Sequence, residues 1–432
     1  MSLTRTGYIT KDGTKEIKTL LTVRPLASPD YPQPKPFKVY REGGGHMCIP
    51  RYFGQDYFSQ CPNDKRPDPH VSNIQFNATP KKEFRQDEAI RLGVESLSTI
   101  GGGVLSLPCG WGKTLCALAI ANHFKVRTMI VVHKEFLAQQ WEERIRQFCP
   151  GSTIGRVQCD RLELDNDFVI AMIQSMSQRE YTLGTFDSVG MLIVDEAHHV
   201  CARAFSQFLF KVCPKYTLGL TATPERKDGL TRLLYWFLGP QFLCIERGAD
   251  NVKVVPLHFH GPFPAVTVTR FGKLSMPEMI TDLTQVPERN HLICDQIREL
   301  LKTDRNILVL TDRREHAMYI LDEFRETAGL YIGGLSDAQL EESAQKRLIV
   351  ATFSLAQEGL DIPKLNTVLF VSPKSDIKQA AGRILRGHGD HPIVYDVVDH
   401  WSVFHGMYKK RCSLYNQMKF EIEGSLPPTC LL

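Results

Sequence analysis

The chain has 432 residues, of which 43% are hydrophobic and 23% charged, with a formal net charge of +4. That length exceeds one ordinary core and calls for about two or three domains. No apolar run approaches the ~20 residues needed to span a bilayer, and "MSLTRTGYITKDGTKE" at the N-terminus has no secretory h-region. The 12 cysteines are scattered without a C-x-x-C pair, so a disulfide framework is set aside and an intracellular, reducing compartment is expected.

Charge is unevenly placed. Met1 to Gln86 hold 14 Lys and Arg against 8 Asp and Glu, a surplus of 6, which leaves the remainder at −2. Ten aromatics share this segment, and ten of the 25 prolines precede residue 81. "SPDYPQPKPFKVY" is expected to run extended. "RYFGQDYF", Arg51 to Phe58, mixes charge with rings. Such a mixture suits a nucleic-acid surface, and it equally suits a solvated face over a small aromatic core. His46, Cys48, Cys61 and His70 are metal-ligating types, but their spacing is that of no zinc finger, and they read as loop residues. Residues 1–79 are therefore taken as a small basic, proline-rich N-terminal domain, with DNA binding as one reading.

After "ATPKKEF" the texture changes to short apolar runs alternating with longer amphipathic stretches. The runs are "TMIVVH", "DFVIAMI", "GMLIVDE" and "YTLGLTAT", with helix-like segments such as "KEFLAQQWEERIRQF" between them. Strand and helix in alternation predict a parallel sheet covered on both faces. A proline-punctuated stretch, residues 251–285, reads as a connecting segment. A second set occupies 286–432, with strands expected at "RNILVLT", "KRLIVAT", "NTVLFVS" and "HPIVYDVV". The fold class is α/β, with one such domain over 80–250 and another over 286–432. A final amphipathic helix with a basic patch is expected in "YKKRCSLYNQMKFEIE".

Ligands of open parallel sheets bind beyond the carboxyl ends of the strands, and polar groups collect there. "LPCGWGKT", Leu107 to Thr114, leads from a short strand into an apolar helix. The backbone N–H groups of Gly110 to Thr114 would converge at a helix N-terminus, which favours a phosphate. Lys113 offers a point charge for the β and γ phosphates, and the Thr114 hydroxyl can bind Mg²⁺. In "VDEAHH", Asp195 and Glu196 come directly after a very apolar strand. Phosphoryl transfer needs one acid to hold Mg²⁺ and another to orient or deprotonate the attacking water; Asp195 fits the first role and Glu196 the second.

These motifs, with "TAT" (Thr221 to Thr223) and "QAAGRILR" (Gln379 to Arg386), occur in the order found in superfamily 2 helicases, and the chain resembles that family over roughly residues 80–400. "LGLTATPERKDGL", "VPERNHLI" and "YIGGLSDAQLEES" look like the XPB-like branch of DNA translocases, and most like the compact members encoded by nucleocytoplasmic large DNA viruses. The resemblance implies two RecA-like domains with ATP between them. Gln86 in "FRQDEAI" would read adenine. Cys109, Gly110, Trp111, Gly112, Lys113 and Thr114 would form the ATP cradle, with Cys109 and Trp111 as local variation. Gly359 and Asp361 would sense the nucleotide from the second domain. Arg383 and Arg386 would reach the γ-phosphate and Gln379 would help position it or the water. His133, Lys134, Gln174, Ser175, Thr221, Thr223 and Thr352 would contact or couple to nucleic acid.

The expected activity is an ATP- and Mg²⁺-dependent DNA helicase or translocase moving 3′ to 5′ in transcript release, repair or replication. Its partners would be single-stranded or duplex DNA and RNA polymerase or other transcription and repair proteins, with no membrane; a viral protein would work in host cytoplasm, nucleus or virion. The rivals are a duplex translocase that separates no strands, an RNA helicase, and a non-catalytic scaffold.

Overall fold

The computed structural model describes residues 1–11, 13–26, 34–59, 62–108, 110–201, 206–222, 228–245, 252–269, 272, 274–358, 362, 364–375, 377, 380–381 and 392–424. They form two compact units, Met1–Glu246 and Arg247–Leu432.

The first unit is built on an eight-stranded sheet. Its spatial order is Arg161–Leu162, Ile154–Gln158, Phe168–Met172, Thr128–Val132, Met191–Val194, Tyr216–Thr221, Gly102–Ser106 and Gln241–Cys244. Arg161–Leu162 pairs antiparallel with its neighbour, and the other described pairings are parallel. The central strands are buried along their whole length, as expected where helices cover both faces. Alternate side chains feed two cores: Met129 and Val131 enter one, Ile130 and Val132 the other. That is the strand's period of two doubled across a covered sheet. The helix Glu135–Phe148 adds Leu137, Ala138, Trp141 and Ile145 to the second core. These positions fall on one helical stripe.

The N-terminal residues form a smaller five-stranded sheet in the order Arg41–Gly43, His46–Ile49, Gly7–Thr10, Ser2–Thr4 and Asn63–Asp64. Its core of Tyr8, Ile17, Met47, Ile49 and Phe53 also takes in Cys213 and Trp236 of the α/β part. "RYFGQDYF" is a helix, Arg51–Phe58, whose first four residues are buried. Arg51 donates to the carbonyls of Ile100 and Lys215, and the Tyr52 hydroxyl lies 2.8 Å from Thr217 Oγ1. Those groups are committed to joining the small sheet to the large one. Of the helix's rings, Tyr57 stays exposed.

The second unit holds a seven-stranded, all-parallel sheet. Its order is Ala328–Tyr331, Leu348–Thr352, Ile307–Thr311, Thr367–Phe370, Ile393–Asp399, Lys253–Phe259 and Glu421–Ile422. One expectation needs correction. The stretch 251–285, read as a connecting segment, supplies the strand Lys253–Phe259, which pairs along its full length with Ile393–Asp399, and the helix Met276–Leu283. Pro256 hid the strand. It is tolerated because pairing on the other side stops at Val254, and an edge can lack an N–H donor. The final helix is Phe404–Gln417, with the strand Glu421–Ile422 after it.

Candidate active site

The phosphate-loop candidate leaves the buried strand Gly102–Ser106. Gly110 and Gly112 adopt φ of +82° and +83°, a region that costs an ordinary residue ~1–2 kcal/mol. A Cβ on Gly112 would also lie 2.4 Å from Gln86 Nε2. Both glycines are thus demanded by the turn. Gly112 is the N-cap of the helix Lys113–Phe124, and no side chain caps it. The amides of the first turn are therefore the donors a phosphate would meet. Lys113 Nζ donates to the Leu107 carbonyl at 3.2 Å, across the loop, and Thr114 is half-buried.

Gln86 and Trp111 have structural work of their own. The Gln86 side chain accepts from Lys81 N–H at 2.8 Å and donates from Nε2 to the Trp111 carbonyl at 3.0 Å. The Trp111 ring packs on Phe84 with centroids 5.6 Å apart. Gln86 thereby braces the loop, and its amide has a second N–H to offer a ligand.

Asp195 and Glu196 leave the buried strand Met191–Val194. The Trp141 indole N–H donates to Asp195 Oδ2 at 2.8 Å, and Glu196 N–H donates to Oδ1 at 2.9 Å. Burial, and then the neighbouring Glu196 charge, push the Asp195 carboxyl above its usual range, against the pull of Lys113. Glu196 sits at φ +44°, a strained setting of ~1–2 kcal/mol for a residue with a Cβ. Its Oε2 is buried with no hydrogen-bond donor among the described residues; His198 Nδ1 approaches to 3.4 Å without bonding geometry. Two adjoining carboxylates, one pushed up and one with an open oxygen, suit a divalent cation and a water. The donor set thus fits Mg²⁺ with a nucleotide. No group of three His, Cys, Asp or Glu gathers as a ready metal centre among the described residues.

His198 Nδ1 also lies 3.3 Å from Thr221 Oγ1. Thr221 is fully buried, and its carbonyl accepts from Leu107 N–H at 3.2 Å. The acidic box, the end of the strand Tyr216–Thr221 and the start of the phosphate loop are therefore one bonded assembly. The His133 ring stacks on His199 at 4.1 Å and His199 on His198 at 4.3 Å. Burial, and then Lys134, hold the His133 imidazole below its ordinary range, and burial lowers Lys134 as well. Gln174 Nε2 donates to the His133 carbonyl at 2.8 Å. The Ser175 hydroxyl oxygen accepts from Cys159 N–H at 3.1 Å. In the second unit, Thr352 closes the strand Leu348–Thr352 with its hydroxyl 3.3 Å from that of Ser354.

Cys109, Thr223, Gly359, Asp361, Gln379, Arg383 and Arg386 lie outside the described residues. Trp141, His198 and His199 touch this candidate site and are not singled out by the sequence alone. Trp141 occupies the apolar stripe of its helix and carries no signal beyond core packing. The doubled histidine after the acidic box is the signal that could have found the other two.

Residues 81–226 match the family described as "Type III restriction enzyme, res subunit". The chain is 35% identical over 98% of its length to 86% of a protein named as an ATP-dependent RNA helicase, L396, of Acanthamoeba polyphaga mimivirus. It is 27% identical over 78% of its length to 81% of a protein named as a helicase, 161L, of Invertebrate iridescent virus 6. It is 26% identical over 74% of its length to 72% of one named as a helicase, D10, of Escherichia phage T5. Among the described residues no helix is long and apolar enough to cross a membrane. With a glycine-turned phosphate loop and a carboxylate pair at the ends of one parallel sheet, and relatives of this extent, the chain belongs to the superfamily 2 helicases, enzymes that couple ATP hydrolysis to nucleic acid.

Proposed function

We propose that this helicase is a DNA-dependent ATPase that moves 3′ to 5′ on its strand in transcription, repair or replication. The observation that carries the chemistry is the pair of acids, Asp195 bonded to the Glu196 N–H and Glu196 Oε2 buried without a donor among the described residues, with the His198–Thr221 contact beside the glycine-turned loop. The choice of DNA rests on the likeness of "LGLTATPERKDGL" to the XPB-like branch, and the polarity on the same likeness.

In this reading the amides of residues 110–114 and Lys113 hold the triphosphate, and Gln86 meets the adenine with its second N–H. Thr114 and Asp195 hold Mg²⁺, which when bound supplies neutralising charge at the β and γ phosphate oxygens. Trp141 keeps Asp195 Oδ2 in place, so the pair of acids divides its labour. Glu196 orients the attacking water and takes its proton at Oε2, the oxygen that no protein donor occupies among the described residues. His198 reports the state of Glu196 to Thr221, and Thr223 extends that link toward the nucleic acid, together with His133, Lys134, Gln174, Ser175 and Thr352. Gly359 and Asp361 sense the nucleotide from the second unit. Arg383 and Arg386 stabilise transition-state charge, a role worth ~10³- to 10⁵-fold in comparable enzymes, and Gln379 helps to position the water. Residues 1–79 serve as a duplex grip or as a docking module for RNA polymerase or repair proteins.

A second reading, an RNA helicase, is favoured by the name of the mimivirus relative. ATP hydrolysis measured with no nucleic acid, single-stranded DNA, duplex DNA and RNA decides between them. The proposal expects stimulation by DNA; stimulation by RNA alone would overturn it in favour of the second reading.

A further inference from the structure

The final helix, Phe404–Gln417, has no part in the chemistry proposed above, yet it carries a deeply enclosed basic group. Arg411 is 2% exposed and Asp396 is fully buried. Arg411 Nε donates to Asp396 Oδ2 at 2.8 Å, and the Tyr415 hydroxyl donates to the same oxygen at 2.9 Å. With its ion pair made, Arg411 directs Nη1 to a main-chain carbonyl, that of Lys374, at 2.8 Å.

A second buried pair does the same a few residues away. Arg289 is fully buried, and its Nε and Nη2 grip Asp399 at 2.7 and 3.0 Å. The same Nη2 donates to the Val371 carbonyl at 2.8 Å. Asp396 and Asp399 both belong to the strand Ile393–Asp399, and their arginines hold the two ends of one four-residue loop, Val371 to Lys374. Between those ends, Ser372 Oγ accepts from Asp312 N–H at 2.9 Å and lies 3.1 Å from Thr311 Oγ1. Lys374 Nζ sits 4.6 Å above the Phe353 ring and 3.5 Å from Asp312 Oδ1.

A loop needs nothing like this merely to leave a strand. Buried ion pairs gain little net stability over apolar packing, so two of them converging on one loop point to a demand for position. The segment just beyond the loop shows why. Ile377, Ala380 and Ala381 are fully buried, Ala381 N–H donates to the Ile377 carbonyl at 2.8 Å as a helix begins, and Arg383 is two residues further along the chain.

We propose that Arg411, with Arg289, is a positioning residue for hydrolysis: the two fix the loop from which the segment bearing Arg383 departs, and they act through that one group. This rests on the assignment of Arg383 made above. A misplacement of about 1 Å at such a group can cost on the order of 10²-fold, so the anchor acts on turnover more than on nucleotide affinity.

The test uses the full chain with three substitutions together, Asp396→Leu, Arg411→Met and Tyr415→Phe, which keep the core filled and remove the carbonyl anchor. Melting temperature, KM for ATP and kcat are measured with the stimulating nucleic acid, in the wild-type and Arg383→Ala backgrounds. The expected result is a kcat lower by about ten- to hundredfold, with KM within about twofold and melting near that of the wild type. In the Arg383→Ala background the same three changes should alter kcat by less than about twofold, because both act through one group. Undiminished kcat in the triple variant, or its full loss repeated in the Arg383→Ala background, overturns the anchoring role. Arg383→Ala without effect on kcat instead removes the assignment of Arg383. Should the triple variant not fold, Arg411→Lys, which keeps the charge beside Asp396 but loses the rigid guanidinium fork that spans Asp396 and the Lys374 carbonyl, reads the same outcomes.

Discussion

The strand Met191–Val194 of the first unit leads into two acids, the strand Ile393–Asp399 of the second contains two, and the two pairs have opposite surroundings. Asp195 is held by an indole N–H, and Glu196 keeps a buried oxygen that no donor reaches among the described residues. Asp396 and Asp399 are each matched to a buried arginine. Acids at strand ends with no cation bonded to them among the described residues can take a cation and a proton. Acids matched to arginine are neutralised within the fold, and their role is to set where the arginine sits. On the proposals above, one sheet end reacts and the other positions.

The largest effect that would break this contrast is at the phosphate loop. Lys113→Ala is expected to lower ATP turnover by about 10²- to 10³-fold and to weaken nucleotide binding, measured by hydrolysis and by fluorescent-nucleotide titration. Turnover close to wild type would show that the reactive end lies elsewhere. Next comes Trp141→Phe, which keeps the ring in the core but removes the only donor described for Asp195 Oδ2. Groups that orient a metal-binding side chain typically carry about 10- to 100-fold in metal affinity. The Mg²⁺ concentration for half-maximal hydrolysis should rise by about that factor; an unchanged Mg²⁺ dependence would leave the indole a packing group.

The smallest effect sharpens the contrast through pH. His316, in the second unit, bonds through its two ring nitrogens to Thr311 and Asn290, and burial pushes its pKa down from 6.5 to about 3. The unfolded chain therefore takes up this proton first. The contribution is fully present above about pH 6.5 and is lost as pH falls toward the folded value, which amounts to about 2 kcal/mol between pH 7 and 5. Asp195 has the opposite sign, because a raised carboxyl holds its proton better in the folded state. Denaturant melts at pH 7 and 5 should show His316→Gln losing less stability on acidification than the wild type. Equal losses would mean that His316 is not the group that titrates.

The central architecture was legible because central parallel strands leave little choice of residue. "TMIVVH", "GMLIVDE" and "RNILVLT" fall within a residue or two of the strands Thr128–Val132, Met191–Val194 and Ile307–Thr311. Strands at or beside a sheet edge obey weaker rules: the proline of Lys253–Phe259 hides it where its outer pairing stops at Val254, and Gln241–Cys244 and Ala328–Tyr331 carry no clear mark. At the candidate site, spacing alone marks Lys113, Asp195 and Glu196. It does not mark Trp141 and Arg411, since a tryptophan on an apolar stripe and an arginine in a basic helix look like core and surface. Only tertiary contact reveals that one donates to Asp195 and the other to the Lys374 carbonyl.

The most direct test is to measure nucleotide affinity and hydrolysis side by side in the wild type and in Glu196→Gln, with saturating nucleic acid. If Glu196 Oε2 takes the proton of the attacking water, affinity should stay within a few fold while turnover falls by about 10²- to 10⁴-fold. Turnover that survives the substitution, or affinity lost in step with it, would contradict the account.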